Sequence, residues 1–181
     1  MIKILFLDTS ALLSFFISDK GTPAMRWLIS SDNKMHNATR YVINNQVIRE
    51  FESSLTELVN KKELKQGTAD NILALFNTHY KNHKFKVTGK EASVKETVDG
   101  MYNFLGRLAK PILVTCSAKQ AEENSGYKII NPCSHTHVEI ELLLQGKKQS
   151  KKKVTDSTGF YQRFFRKNRM MLALKQHHFP G

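Results

Sequence analysis

The chain has 181 residues, 40% of them apolar and 24% charged, which is the composition of an ordinary globular protein long enough to bury a core. No apolar run nears the ~18–20 residues of a membrane span, and no leader with a basic region and small-residue cleavage site opens the chain, which argues against a membrane protein and predicts a cytoplasmic one. The net charge of +12 is uneven: residues 146 to 181 carry ten Lys/Arg against the single acid Asp156, whereas residues 1 to 145 carry 18 against 15.

The stretch IKILFL, residues 2 to 7, is short, apolar and bounded, and it predicts a buried, central parallel strand with Asp8 at its C-terminal end. A carboxylate there is costly unless something pairs with it, and Lys3 is too near the start of the same strand to do so. Next, GTPAMRWLISS predicts a helix capped by Thr22 with Pro23 at its first position. YVIN at 41 to 44 predicts a second strand, and Val47, Ile48, Phe51, Leu55, Leu58 and Val59 then fall at helical spacing, placing Glu50 early on an amphipathic helix.

A further helix follows Gly67, with Thr68 as its cap and Ile72, Leu73, Leu75 and Phe76 as its apolar side. FKVTG predicts a strand, SVKETVDGMYNFLGRLAK a helix with Asp99 near its middle, PILVT a buried strand, AKQAEENSG a short helix ended by Gly126, and YKIINP a last strand stopped by Pro132. HVEIELLL reads equally as a strand or as the start of a helix. Strand and helix alternate throughout, which predicts an α/β domain over residues 1–145 built on a mainly parallel sheet. Residues 146–181 form a basic C-terminal extension: GKKQSKKK is a linker with nothing apolar to fold around, and residues 157 to 174 predict a basic helix.

In an open parallel sheet, ligands bind outside the carboxyl ends of the strands, so Asp8, Glu50 and Asp99 occupy places from which they can converge. Converging acids without matching bases call for a hard divalent cation; the alternative is three separately solvated carboxylates.

FLDTSALL, NNQVIREF, DGMYNFLGRLAKPILVT and GYKIINP, in this order over about 130 residues, resemble the PIN-domain nucleases, the group that includes VapC-type toxins. The resemblance implies a three-layer α/β/α fold and a metal-dependent endoribonuclease that hydrolyses RNA phosphodiester bonds with Mg²⁺ or Mn²⁺. It further implies that Asp8, Glu50 and Asp99 are the catalytic residues and metal ligands, directly or through water, with the hydroxyls of Thr9, Ser10 and Thr115 supporting them. It also implies a homodimer and, for a toxin-type protein, an antitoxin-like partner. The family pattern continues as Thr-x-Asp, whereas this chain reads TCSAKQ and places Ser117 where the fourth acid is expected. A serine binds a water or a phosphate oxygen but adds no charge; Glu122 and Glu123 are alternative acids if their helix presents them to the site.

Two readings of function therefore stand, a ribonuclease and a catalytically degenerate PIN-like domain that binds RNA without cleaving it. A third is an interaction module whose basic tail meets an acidic protein or a membrane surface. For RNA, Lys147, Lys148, Lys151, Lys152, Lys153, Arg163, Arg166, Lys167 and Arg169 supply backbone contacts. Phe160, Tyr161, Phe164 and Phe165 interleave with them, either to stack unpaired bases, which favours single-stranded over duplex RNA, or to pack the tail helix. Cys133, His135 and His137 alternate as zinc ligands on an extended segment would, but no fourth ligand lies nearby, only His177 and His178 far along the chain, so surface or partly packed histidines are the default. Cys116 and Cys133 are expected to be reduced packing residues.

Overall fold

The computed structural model describes residues 2–30, 38–82, 84–89, 91–105 and 109–146. The basic extension, including every lysine and arginine of the expected RNA contact and the helix expected at 157 to 174, lies outside the described residues.

Five strands, β1 (Lys3–Leu7), β2 (Thr39–Asn44), β3 (Phe85–Thr88), β4 (Ile112–Val114) and β5 (Lys128–Ile130), form one sheet in the order β3-β2-β1-β4-β5, with all four pairings parallel. Central β1 pairs with β2 on one side and β4 on the other, so Leu5 stands between Tyr41 and Ile112. Leu5, Phe6 and Leu7 are fully buried, as expected of a central parallel strand covered on both faces.

Seven helices complete the described chain: α1 (Thr9–Phe16), α2 (Thr22–Ile29), α3 (Asn45–Asn60), α4 (Gln66–Lys81), α5 (Val94–Leu105), α6 (Ala118–Glu123) and α7 (His137–Gln145). Crossovers from β1 to β2 to β3 run towards one edge and those from β3 to β4 to β5 towards the other; with the right-handed connections that parallel strands adopt, the connecting helices cover opposite faces and the architecture is three-layered, α/β/α. On one face α1, α3 and α4 pack together through Phe16, Phe51 and Phe76, with Phe51 and Phe76 5.2 Å apart between ring centroids. Aromatic pairs in such geometry add about 0.5–1.5 kcal/mol each beyond the area they bury.

Several local expectations are corrected. The segment after Asp8, to which the sequence analysis assigns no element, is a helix, α1. Thr22 does not cap α2, whose N-cap is Gly21; the Thr22 hydroxyl instead donates to Ile17 O at 2.9 Å and takes the Asp19 N–H at 2.8 Å. Helix α4 begins at Gln66, so Gly67 and Thr68 lie inside it, and Leu75 is 55% exposed rather than packed. The ambiguous HVEIELLL is helical because Thr136 and Glu139 form a reciprocal capping box that fixes the start of α7, and Gly146 ends it with a φ of 74°.

Candidate functional site

Asp8 follows directly on β1, is 2% exposed, and caps α1. Its Oδ1 accepts the Ala11 N–H at 2.8 Å and the Ser10 hydroxyl at 2.7 Å. The first turn of α1 thus supplies the partner that a buried carboxylate requires, through N–H groups and the positive end of the helix dipole. Burial still dominates and pushes the carboxyl above the usual range, against the opposing pull of hydrogen bonds from Thr115, Ala11 and Ser10.

Ser10 joins this carboxylate to the end of β4. Its Oγ accepts the N–H groups of Cys116 at 2.8 Å and Ser117 at 3.1 Å, and lies 3.3 Å from Thr115 Oγ1. The Ser117 N–H also reaches Thr115 Oγ1 at 3.0 Å, while the Ser117 hydroxyl accepts from Gln120 N at 3.3 Å and caps α6. Asp8, Ser10, Thr115 and Ser117 therefore form one network beyond the C-terminal ends of β1 and β4. That is where the crossovers change direction, the place at which open α/β sheets present a crevice.

Glu50 is attached to this network at its outer side. It is exposed on α3; one carboxylate oxygen accepts the Thr9 hydroxyl at 2.5 Å, and the other accepts Gln46 Nε2 at 2.8 Å. Asp99 is half-buried on α5, and no hydrogen bond or ion pair ties it to Asp8 or Glu50 among the described residues. Nor do any three His, Cys, Asp or Glu side chains among the described residues group so as to hold a metal ion. Asp8 is engaged through Oδ1 as a cap, and the two carboxylate oxygens of Glu50 by a threonine and a glutamine. Glu122 and Glu123 are exposed on α6, with Glu123 3.8 Å from Lys119.

Asn44 ties the two helices that carry Glu50 and Asp99 to the end of β2. It is fully buried at the end of β2, its Oδ1 caps α3 by accepting Val47 N at 2.8 Å, and its Nδ2 donates to Ala92 O at 2.7 Å and Thr97 Oγ1 at 2.8 Å. One side chain thereby sets the start of the helix that carries Glu50 and holds the helix that carries Asp99. The available signal was an asparagine at the junction between a strand and an amphipathic helix, the position of a side-chain cap.

Cys133, His135 and His137 do not converge on a common point. His135 Nδ1 accepts the Asn131 N–H at 3.1 Å, and the His137 ring rests against Trp27 with centroids 5.8 Å apart. Cys133 instead lies within hydrogen-bonding reach of Cys116, beside Gly21; both thiols are free and half-buried, and burial pushes that of Cys116 up to about 12. Among the described residues no helix is long and apolar enough to cross a membrane.

The chain matches no model of a known protein family and no curated protein.

Proposed function

We propose that this chain is a PIN-like domain that binds RNA without cleaving it at a three-carboxylate metal centre. The observation that carries this reading is the use made of Ser117. At the position where the family pattern expects a fourth acid, its N–H and hydroxyl are occupied by Ser10, Thr115 and the cap of α6. The strand order and the network at the ends of β1 and β4 support the PIN-like assignment. The excess of positive charge in residues 146 to 181 supports a polyanionic partner.

The test uses the full chain with labelled single-stranded and structured RNAs in Mn²⁺. The expected result is binding that weakens steeply with salt, intact RNA, and unchanged affinity in Asp8→Asn and Asp99→Asn. Cleavage that both substitutions abolish would overturn the reading in favour of a second one, a metal-dependent endoribonuclease of toxin or RNA-processing type. That second reading is favoured by the gathering of Asp8, Thr9, Glu50 and Thr115 beyond the strand ends. It requires Asp99 to join them around the cation, whose chemistry is activation of a water for attack on the phosphodiester.

A further inference from the structure

The opposite end of the sheet holds a basic cleft that the Asp8 network does not involve. It has a volume of about 1000 Å³ and lies where the N-terminal parts of β2 and β3 meet the end of α4, with Arg40, His79, Tyr80, Lys84 and Lys86 among its walls and no carboxylate among its described lining. A smaller cleft of about 350 Å³ shares His79 and Lys84 and adds Arg26. The larger volume matches that of small-ligand sites.

Two of these groups are held in an unfavourable state. Lys84 and His79 are both partly buried, burial weakens the hold of each on its proton, and the Lys84 charge weakens that of His79 further. The imidazole cannot easily turn away, because it packs against the rings of Phe15, Phe16 and Phe85 at 5.7, 5.9 and 6.0 Å. Among the described residues no carboxylate pairs with Lys84 or Lys86. A partly desolvated ammonium on a concave surface is stabilised by an anion placed beside it. Tyr80, 46% exposed at the wall, adds a planar face of the kind on which an unpaired base stacks.

We propose that this cleft is a second RNA contact, in which Lys84 and Lys86 hold phosphates of a single strand and Tyr80 carries a base. The polynucleotide in this assignment rests on the RNA-binding reading above, whereas the recognition of a phosphoryl anion rests on the cleft alone.

The experiment follows the His79 and Tyr80 ring resonances of the full chain by NMR while inorganic phosphate and, separately, an oligouridine strand are added. The expected result is a saturable shift of both residues with oligouridine. A Lys84→Gln/Lys86→Gln variant with an unchanged far-UV spectrum should bind oligouridine about tenfold or more weakly, with a salt slope reduced by about two. Saturation by inorganic phosphate alone, with Tyr80 unmoved and no added effect of the strand, would put a free phosphorylated molecule in the cleft and overturn the proposal. RNA bound by the full chain with His79 silent and the double variant unimpaired removes the cleft while leaving the general RNA reading intact. A chain that binds no RNA, yet whose His79 responds to phosphate, removes the general reading and the strand in the cleft with it.

Discussion

The Ser117 N–H donates to Ser10 Oγ at 3.1 Å, so the residue at the expected fourth-acid position is bonded to a hydroxyl two residues beyond Asp8. Sequence separation of 107 residues is closed by β1 and β4 lying side by side in parallel register, Leu7 opposite Val114. What each strand delivers at its C-terminal end is thereby brought into contact, and the network becomes a structural joint as much as a candidate site.

Ser10→Ala tests that joint. Its hydroxyl donates to Asp8 and accepts the N–H groups of Cys116 and Ser117, of which only Ser117 has a second acceptor, Thr115 Oγ1, among the described partners. Leaving a partly buried N–H unsatisfied and removing a hydrogen bond to a carboxylate costs about 1–3 kcal/mol. Urea denaturation should show a loss of this size with an unchanged m-value; a change within experimental error would mean that water replaces the serine at no cost.

Asp8 makes stability depend on pH in an uncommon direction for a carboxylate. Its folded-state pKa is raised by burial above the ordinary value of 3.8, so the folded state holds this proton more tightly than the unfolded chain does. The contribution of this group is therefore most favourable below 3.8 and is lost as pH rises through the raised folded value. Asp8→Asn keeps a good capping residue and removes the buried charge, so it should be at least as stable as the wild type at neutral pH and lack this part of the pH slope. Denaturation midpoints measured across the acid range for both proteins check the prediction, and a variant that loses stability at neutral pH would contradict it.

Ser117→Asp asks whether the missing acid is what withholds a cation. Aspartate caps helices as well as serine does, so α6 should be preserved and stability without metal should change by no more than about 1 kcal/mol. The new carboxylate would stand across Ser10 from Asp8 and raise the local negative charge. Mn²⁺ is expected to raise the thermal midpoint of the variant and not of the wild type, a metal at 100 times its Kd being worth about 2.7 kcal/mol. Equal responses of the two proteins would show that Ser117 does not control cation binding.

Gly21→Ala probes the packing behind the site. A Cβ at Gly21 would stand 2.8 Å from Ser14 Oγ, 3.0 Å from Cys133 Sγ and 3.1 Å from Cys116 Sγ. Ser14 cannot withdraw freely, because its hydroxyl donates to Asp19. The backbone conformation at Gly21, φ −84° and ψ −15°, suits alanine, so the cost is overpacking alone, about 1–3 kcal/mol. Thermal and urea unfolding should both report it, and a neutral substitution would mean that the two thiols have room to move.

Much of the fold was legible in the chain. IKILFL, YVIN, FKVTG, PILVT and YKIINP all contain strands, because short apolar runs between turn-forming residues suit a sheet covered on both faces. The periodicity of α3 was equally clear, with Val47, Phe51 and Leu55 buried and Glu50 exposed. Less legible were the ends of elements. Asp8 reads as an acid able to take a cation, and the same residue before a run of eight helix-compatible residues is also a cap; what lies opposite it decides how much of the carboxylate is left for a ligand.

By itself, the sequence determined the alternation of strands and helices, the parallel α/β class, and the concentration of charge beyond residue 145. These follow from local periodicity and composition, which need no knowledge of distant residues. Only the tertiary structure decided that Asp8 and Ser117 share Ser10, that Glu50 joins them through Thr9 while Asp99 carries no such link among the described residues, and that Cys133 meets Cys116 rather than His135 and His137. The physical reason is that a site is made by strand order and crossover direction. These bring together groups a hundred residues apart, and the hydrogen-bonding capacity that each side chain has left for a ligand depends on neighbours that its own segment does not contain.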